Sequence, residues 1–135
     1  MMQNNTPDPL KQNVDLPIIH RLMEVYKIWQ EYLQDFSRIS RFTLGEKIDI
    51  IFLELTEDIF SASALKSEKK LSRLNESSVK LDLLKFLLRI AWEIKAIDNK
   101  KFILLSDRFG EIGKMLGGWI RQLKEKLPLE TEEQR

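Results

Sequence analysis

The chain has 135 residues, 32% charged and 43% hydrophobic, with five glycines and four prolines. That is the length and composition of one helical domain able to bury its own core. It has no cysteine, which excludes disulfides and thiolate chemistry. No stretch reaches the roughly 18 apolar residues of a membrane span, and the N-terminus lacks the apolar core of a signal peptide, so a soluble cytoplasmic protein with no membrane partner is expected. The formal charge of +1 conceals a gradient, because residues 16–127 hold 20 basic and 16 acidic side chains. A mildly basic body permits phosphate contact without demanding it.

Residues 1–14 are polar and aperiodic and are expected to form a disordered arm, ahead of a helical body over 15–127. From Leu16 to Phe36, Ile19, Leu22, Met23, Tyr26, Trp29, Leu33 and Phe36 recur at helical spacing, with Asp15 as an N-cap and Pro17 in the first turn. His20, the single histidine, has no ExxH partner motif and reads as a surface residue, so no metal or other cofactor is expected. The stretch SRISRF interrupts the pattern. Thr43 and Glu46 then have capping-box spacing for a second helix running to about Ser67, with a seam of Leu44, Ile48, Ile51, Phe52, Leu55 and Ile59. Glu46, Asp49, Glu54, Glu57 and Asp58 fall largely outside that seam and read as a solvated acidic face rather than acid–base machinery.

The sign reverses across KSEKKLSRL, where Lys66, Lys69, Lys70 and Arg73 open a third helix, Glu68 to Ile97. Between Leu81 and Ile97 its apolar residues cover about two thirds of the circumference, far more than the stripe a surface helix needs. The wedge left over holds Asp82, Lys85, Arg89 and Glu93. In a four-helix protein no central position can hide such a helix, so a second buried face, and hence self-association, is expected, with Phe86, Ile90 and Trp92 as candidates.

After a break at Asp98 and Asn99 the fourth helix is expected to end ahead of Pro128, leaving 128–135 as an acidic flexible tail. Its FGEIGKMLGGWIRQL segment carries an apolar arc yet holds four of the five glycines. Each interior glycine costs about 1 kcal/mol against alanine, so close packing is expected in return. Gly110, Gly113 and Gly117 line one edge of the arc, beside Trp119, as helix-packing or subunit-interface candidates. Four helices with short connections imply an all-α, antiparallel up-down-up-down bundle.

The segments LPIIHR, RFTLGEKID, KLDLLKFLLRIAWEI and EIGKMLGGWIRQL together span most of residues 16–123. Through them the chain resembles the accessory variability determinant proteins of diversity-generating retroelements, a branch of the bacterial four-helix-bundle proteins related to those encoded in ribosomal RNA intervening sequences. The glycine-bearing GKMLGGW is the most specific part, and the SIPSNIAEG-like stretch of the ribosomal-insertion branch is absent. The resemblance implies a homopentameric, ring-like barrel that catalyses nothing itself. It implies binding to the element's reverse transcriptase and template RNA in support of mutagenic copying. Such proteins are usually strongly basic, and this chain is not. Candidate phosphate contacts are Arg38 and Arg41 in the first connection, Lys66, Lys69, Lys70 and Arg73 at the second, Lys85 and Arg89 in the wedge, and Lys114 and Arg121 beside the glycines. The competing expectation is a general four-helix interaction protein associated with RNA or ribosomes, without a retroelement.

Overall fold

The computed structural model describes residues 17–133, with side chains described as far as 127. The arm 1–14, the Asp15 cap and the side chains of the acidic tail lie outside the described residues. Within them there are four long helices and no strand: α1 Pro17–Leu33, α2 Glu46–Ala62, α3 Ser67–Glu93 and α4 Asn99–Glu133.

The apolar periodicity of each helix becomes the core. From α1 come Ile18, Ile19, Leu22, Val25 and Trp29, and from α2 come Ile48, Ile51, Phe52, Leu55 and Ile59. Helix α3 adds Leu74, Leu81, Leu84, Leu88 and Ala91, and α4 adds Leu105, Phe109, Ile112 and Leu116. Edge-to-face rings run through it, Tyr26 to Phe52 at 5.1 Å and Phe52 to Phe109 at 5.4 Å. These contacts tie α1, α2 and α4 with geometry-specific energy beyond area burial.

The ends of the helices depart from the expected boundaries. Thr43 does not cap α2. A helical turn starts earlier, at Arg38–Ser40, and passes through a π-helical stretch, Arg41–Gly45, directly into α2. Ser37 is the cap, accepting from the Ser40 amide at 3.2 Å, while the Thr43 hydroxyl donates back to the Ile39 carbonyl. Helix α2 closes at Ala62 rather than Ser67.

Helix α3 also stops earlier than expected, at Glu93. The Ala96 amide reaches the Ala91 carbonyl at 2.8 Å and the Lys95 amide reaches Trp92 at 3.0 Å, the Schellman pair of bonds. This closure turns the chain so that Ile97 is buried instead of extending the helix. Asp98 then caps α4 by accepting from the Lys101 amide at 2.9 Å. Helix α4 continues to Glu133, past Pro128. Proline's fixed φ is helical, and its penalty is one missing hydrogen bond plus crowding of the carbonyl four residues back.

Two backbone positions give testable consequences. Lys95 takes the left-handed conformation, with φ 65°, where a Cβ is disfavoured by roughly 1 kcal/mol. We expect Lys95→Gly to stabilise the protein by about 0.5–1 kcal/mol, read from the urea midpoint, and an unchanged or lower midpoint would contradict this. At Gly45 a Cβ would stand 2.6 Å from Leu33 Cδ1 and 3.3 Å from the Ser40 carbonyl oxygen. Gly45→Val should therefore lower stability by about 2 kcal/mol in the same assay.

Candidate functional site

Polar side-chain ties hold the helices in register and so position the surface. Asp49, in the first turn of α2, accepts three hydrogen bonds on one oxygen. They come from Tyr26 Oη at 2.9 Å, Trp29 Nε1 at 3.1 Å and Gln30 Nε2 at 3.0 Å. Asp58 takes a 2.6 Å bond from Lys80 of α3, and Asp35 takes one of 2.5 Å from Lys101 of α4. Two carboxylates of the expected solvated acidic face, Asp49 and Asp58, are thus inter-helix ties. Burial, together with the Asp49 carboxylate, pushes the Tyr26 phenol above its ordinary value of 10.0. The Asp58 hydrogen bond, against opposing burial, raises Lys80, and the Asp35 bond raises Lys101 in the same way.

The ten candidate cations differ in what they touch. Arg41 Nη2 donates to the Gln34 carbonyl at 2.7 Å, so it holds the α1–α2 connection together. Arg73 donates to Ser61 Oγ at 2.6 Å and approaches Glu76 at 3.7 Å, which binds α3 to the end of α2. Lys70 lies over the Trp119 ring at 6.0 Å, and Arg89 pairs with Glu93 at 3.7 Å. The Lys85 ammonium lies across the gap toward Gly113, 3.3 Å from where a Cβ would sit. Arg38, Lys66, Lys69, Lys114 and Arg121 remain exposed without an ion pair among the described residues.

The structure adds cations that the sequence reading passed over. The Lys101–Asp35 bridge brings the α3–α4 connection against the α1–α2 connection. Lys95 and Lys100, on either side of the Asp98 cap, are exposed. A basic pair flanking the Asp98 cap was the available signal.

The glycine expectation changes. A Cβ on Gly110 or Gly117 would meet nothing within 4 Å, and one on Gly113 would touch only Leu81 and the Lys85 tip. Close packing inside the protomer is therefore not what Gly110 and Gly117 provide. With Lys114 and Arg121 they recur at +4, +3 and +4 on one outer face of α4. Trp92 is half-buried, stacked on Phe102 at 5.0 Å, with its indole N–H on Asn99. Phe86, in contrast, is 59% exposed, and Val79 is 69% exposed.

Among the described residues no group of histidine, cysteine, aspartate and glutamate side chains could hold a metal ion, and no helix is long and apolar enough to cross a membrane. A hollow lined by Trp92, Glu93, Lys95, Ile97, Asp98 and Asn99 is open to solvent. What the fold defines is a helical-bundle protein. A family model described as bAvd-like, for bacterial accessory variability determinants, matches residues 17–123, and the chain belongs to that family. Membership supports an accessory variability determinant role in general. No curated protein matches the chain.

The Asp49 tie is open to test. Asp49→Ala leaves three donors without their acceptor, one of them on Trp29, which is 1% exposed. A loss of about 2 kcal/mol is expected in urea unfolding, against less than about 0.5 kcal/mol for Glu46→Ala on the exposed side. Equal effects would remove Asp49 from its special position. Since Tyr26, Lys80 and Lys101 all hold protons more tightly when folded, the folded state binds more protons in the alkaline range. Their contribution is complete below the ordinary values of 10.0 and 10.5 and is lost as pH rises through the raised folded values. Thermal scans should show the melting temperature falling above about pH 10, and less steeply in a Lys80→Met, Tyr26→Phe variant.

Proposed function

We propose that this protein is a non-enzymatic accessory subunit of a diversity-generating retroelement, binding its reverse transcriptase and template RNA to support mutagenic retrohoming in the cytoplasm. The observation that carries this reading is the bAvd-like match over residues 17–123. In the same reading the protomer is an antiparallel up-down-up-down bundle. The order of inter-helix contacts supports it: Trp29 with Asp49, Asp58 with Lys80, Trp92 with Phe102, and Lys70 with Trp119. Protomers assemble into a ring, as a homopentamer, and the uncovered apolar residues of α3 support burial of a second face.

The two partners are contacted by different chemistry. Arg38, Lys66, Lys69, Lys114 and Arg121 offer exposed charge for phosphates, with Lys95 and Lys100 on either side of the Asp98 cap. With few such groups per protomer and a net charge of +1, phosphate binding is weak and falls further as salt rises, and binding of the reverse transcriptase carries relatively more of the role. Copurification with the reverse transcriptase encoded beside the gene tests the reading. We expect the complex to survive nuclease treatment and to outlast RNA binding as salt rises. The double variant Lys66→Ala, Lys69→Ala should reduce the salt dependence of RNA affinity by about 1.5 units of log–log slope while leaving reverse-transcriptase capture intact. Loss of capture on nuclease treatment would overturn direct protein contact, and absence of any neighbouring reverse-transcriptase gene would favour the general RNA- or ribosome-associated alternative.

A further inference from the structure

Two apolar surfaces on different faces of the protomer are left in water. On α3, Val79, Leu83, Phe86 and Ile90 recur at +4, +3 and +4, the spacing of a coiled-coil seam. They stand on the side away from the core residues Leu74, Leu81, Leu84 and Leu88, with the first three exposed and Ile90 half-buried. Between α1 and α2 lies a groove of about 430 Å3 lined by Ile19, Met23, Thr56, Glu57, Phe60 and Ser61, with almost no polar surface. Along α2 the same line continues through exposed Leu53 and Ile50.

We infer that the α3 ridge of one protomer seats in the α1–α2 groove of the next copy of this chain. The inference rests on the self-assembly in the preceding reading, and not on its retroelement partners. Ridge and groove match in length, since residues 79–90 and 50–60 each span about 15 Å of helix at about 1.5 Å per residue. One chain supplies both halves, so a second copy satisfies both surfaces at once. Charge agrees with this occupant. Glu57 borders the groove through its apolar stem, and its carboxylate makes no ion pair among the described residues. Arg89 precedes Ile90 at the edge of the ridge, its side chain 68% exposed and 3.7 Å from Glu93. Seating the ridge offers that carboxylate a cation. A two-fold contact of α3 on α3 would instead cover the ridge and leave Met23, Ile50, Leu53 and Phe60 in water. Because the joined patches differ, the contact is heterologous, and its repetition closes a ring when the rotation closes.

The cysteine-free chain makes the test direct. Phe86→Cys and Phe60→Cys are coexpressed, purified and mildly oxidised, since a disulfide forms only where Cα atoms come within about 7 Å. We expect dimers that contain one chain of each variant, little cross-linking of either variant alone, and from the double variant F60C/F86C a ladder whose last rung is the copy number of the ring. Cross-linking of F86C with itself and not with F60C would overturn ridge-in-groove packing while leaving self-assembly intact. A wild-type protein that scatters light as a monomer at micromolar concentration overturns the assembly as well. Should a cysteine variant lose its native circular dichroism, Phe86→Asp and Met23→Asp serve instead. Each is expected to lower the oligomeric mass, and an unchanged mass for both overturns the proposal.

Discussion

One half-buried carboxylate sets the register between the first two helices, and much of the surface follows from it. Trp29 is buried, so its indole N–H must find an acceptor inside the protein. Asp49 supplies it, and the same oxygen takes Tyr26 and Gln30. Donors at i, i+3 and i+4 lie on one face of α1, so α2 has a single position along it at which all three are satisfied. Around Asp49 the corner is closed by Arg41 on the Gln34 and Phe36 carbonyls and by Gly45, which admits the Leu33 side chain. Once α1 and α2 are fixed in this way, Ile19 and Met23 face Thr56 and Phe60, and the apolar groove is a consequence.

The periodic part of this structure was legible before any coordinates. Every seam residue of α2 from Ile48 to Ile59 is buried as its spacing requires, and the excess of apolar residues on α3 does leave a ridge outside the core. Features that depend on a single backbone contact were not legible. Thr43 and Glu46 have capping-box spacing, but the π-helical stretch starts the helical path earlier and Ser37 becomes the cap. The glycines show the same limit. Four clustered in α4 drew attention, whereas the solitary Gly45 is the one pressed against Leu33 and Phe36. A glycine's need for space is set by what the fold brings opposite it, which a linear pattern does not record. Lys95 in a Schellman closure is a further case, because glycine is the expected residue at that position.

For the candidate surface, residue type was readable and occupancy was not. Arg41 and Arg73 look like Arg38 in the sequence, yet their guanidiniums meet carbonyl and hydroxyl oxygens delivered by neighbouring turns. Those acceptors follow no spacing rule. Once these cations are spent on structure, the charge left for an anionic partner is smaller than a count of lysine and arginine suggests. The Lys101–Asp35 bridge, which ties the start of α4 to the first connection, likewise follows no spacing rule.

This low charge per protomer bears on why assembly would matter. A chain of net charge +1 with a handful of exposed cations binds phosphate weakly on its own, and each contact is screened within about 8–10 Å at physiological salt. In the proposed ring, Arg38, Lys95 and Lys100 recur once per protomer around the circumference, as do Lys66 and Lys69. A strand that engages one copy meets the next at a high effective concentration, so avidity grows without any new contact in the protomer. The apolar ridge and the sparse cations then belong to one physical solution: burial of Val79, Leu83 and Phe86 arrays charges that are too few to act singly. It follows that a ridge variant such as Phe86→Asp should weaken RNA binding although it adds only one negative charge, and more strongly for RNA long enough to span protomers than for a short oligonucleotide.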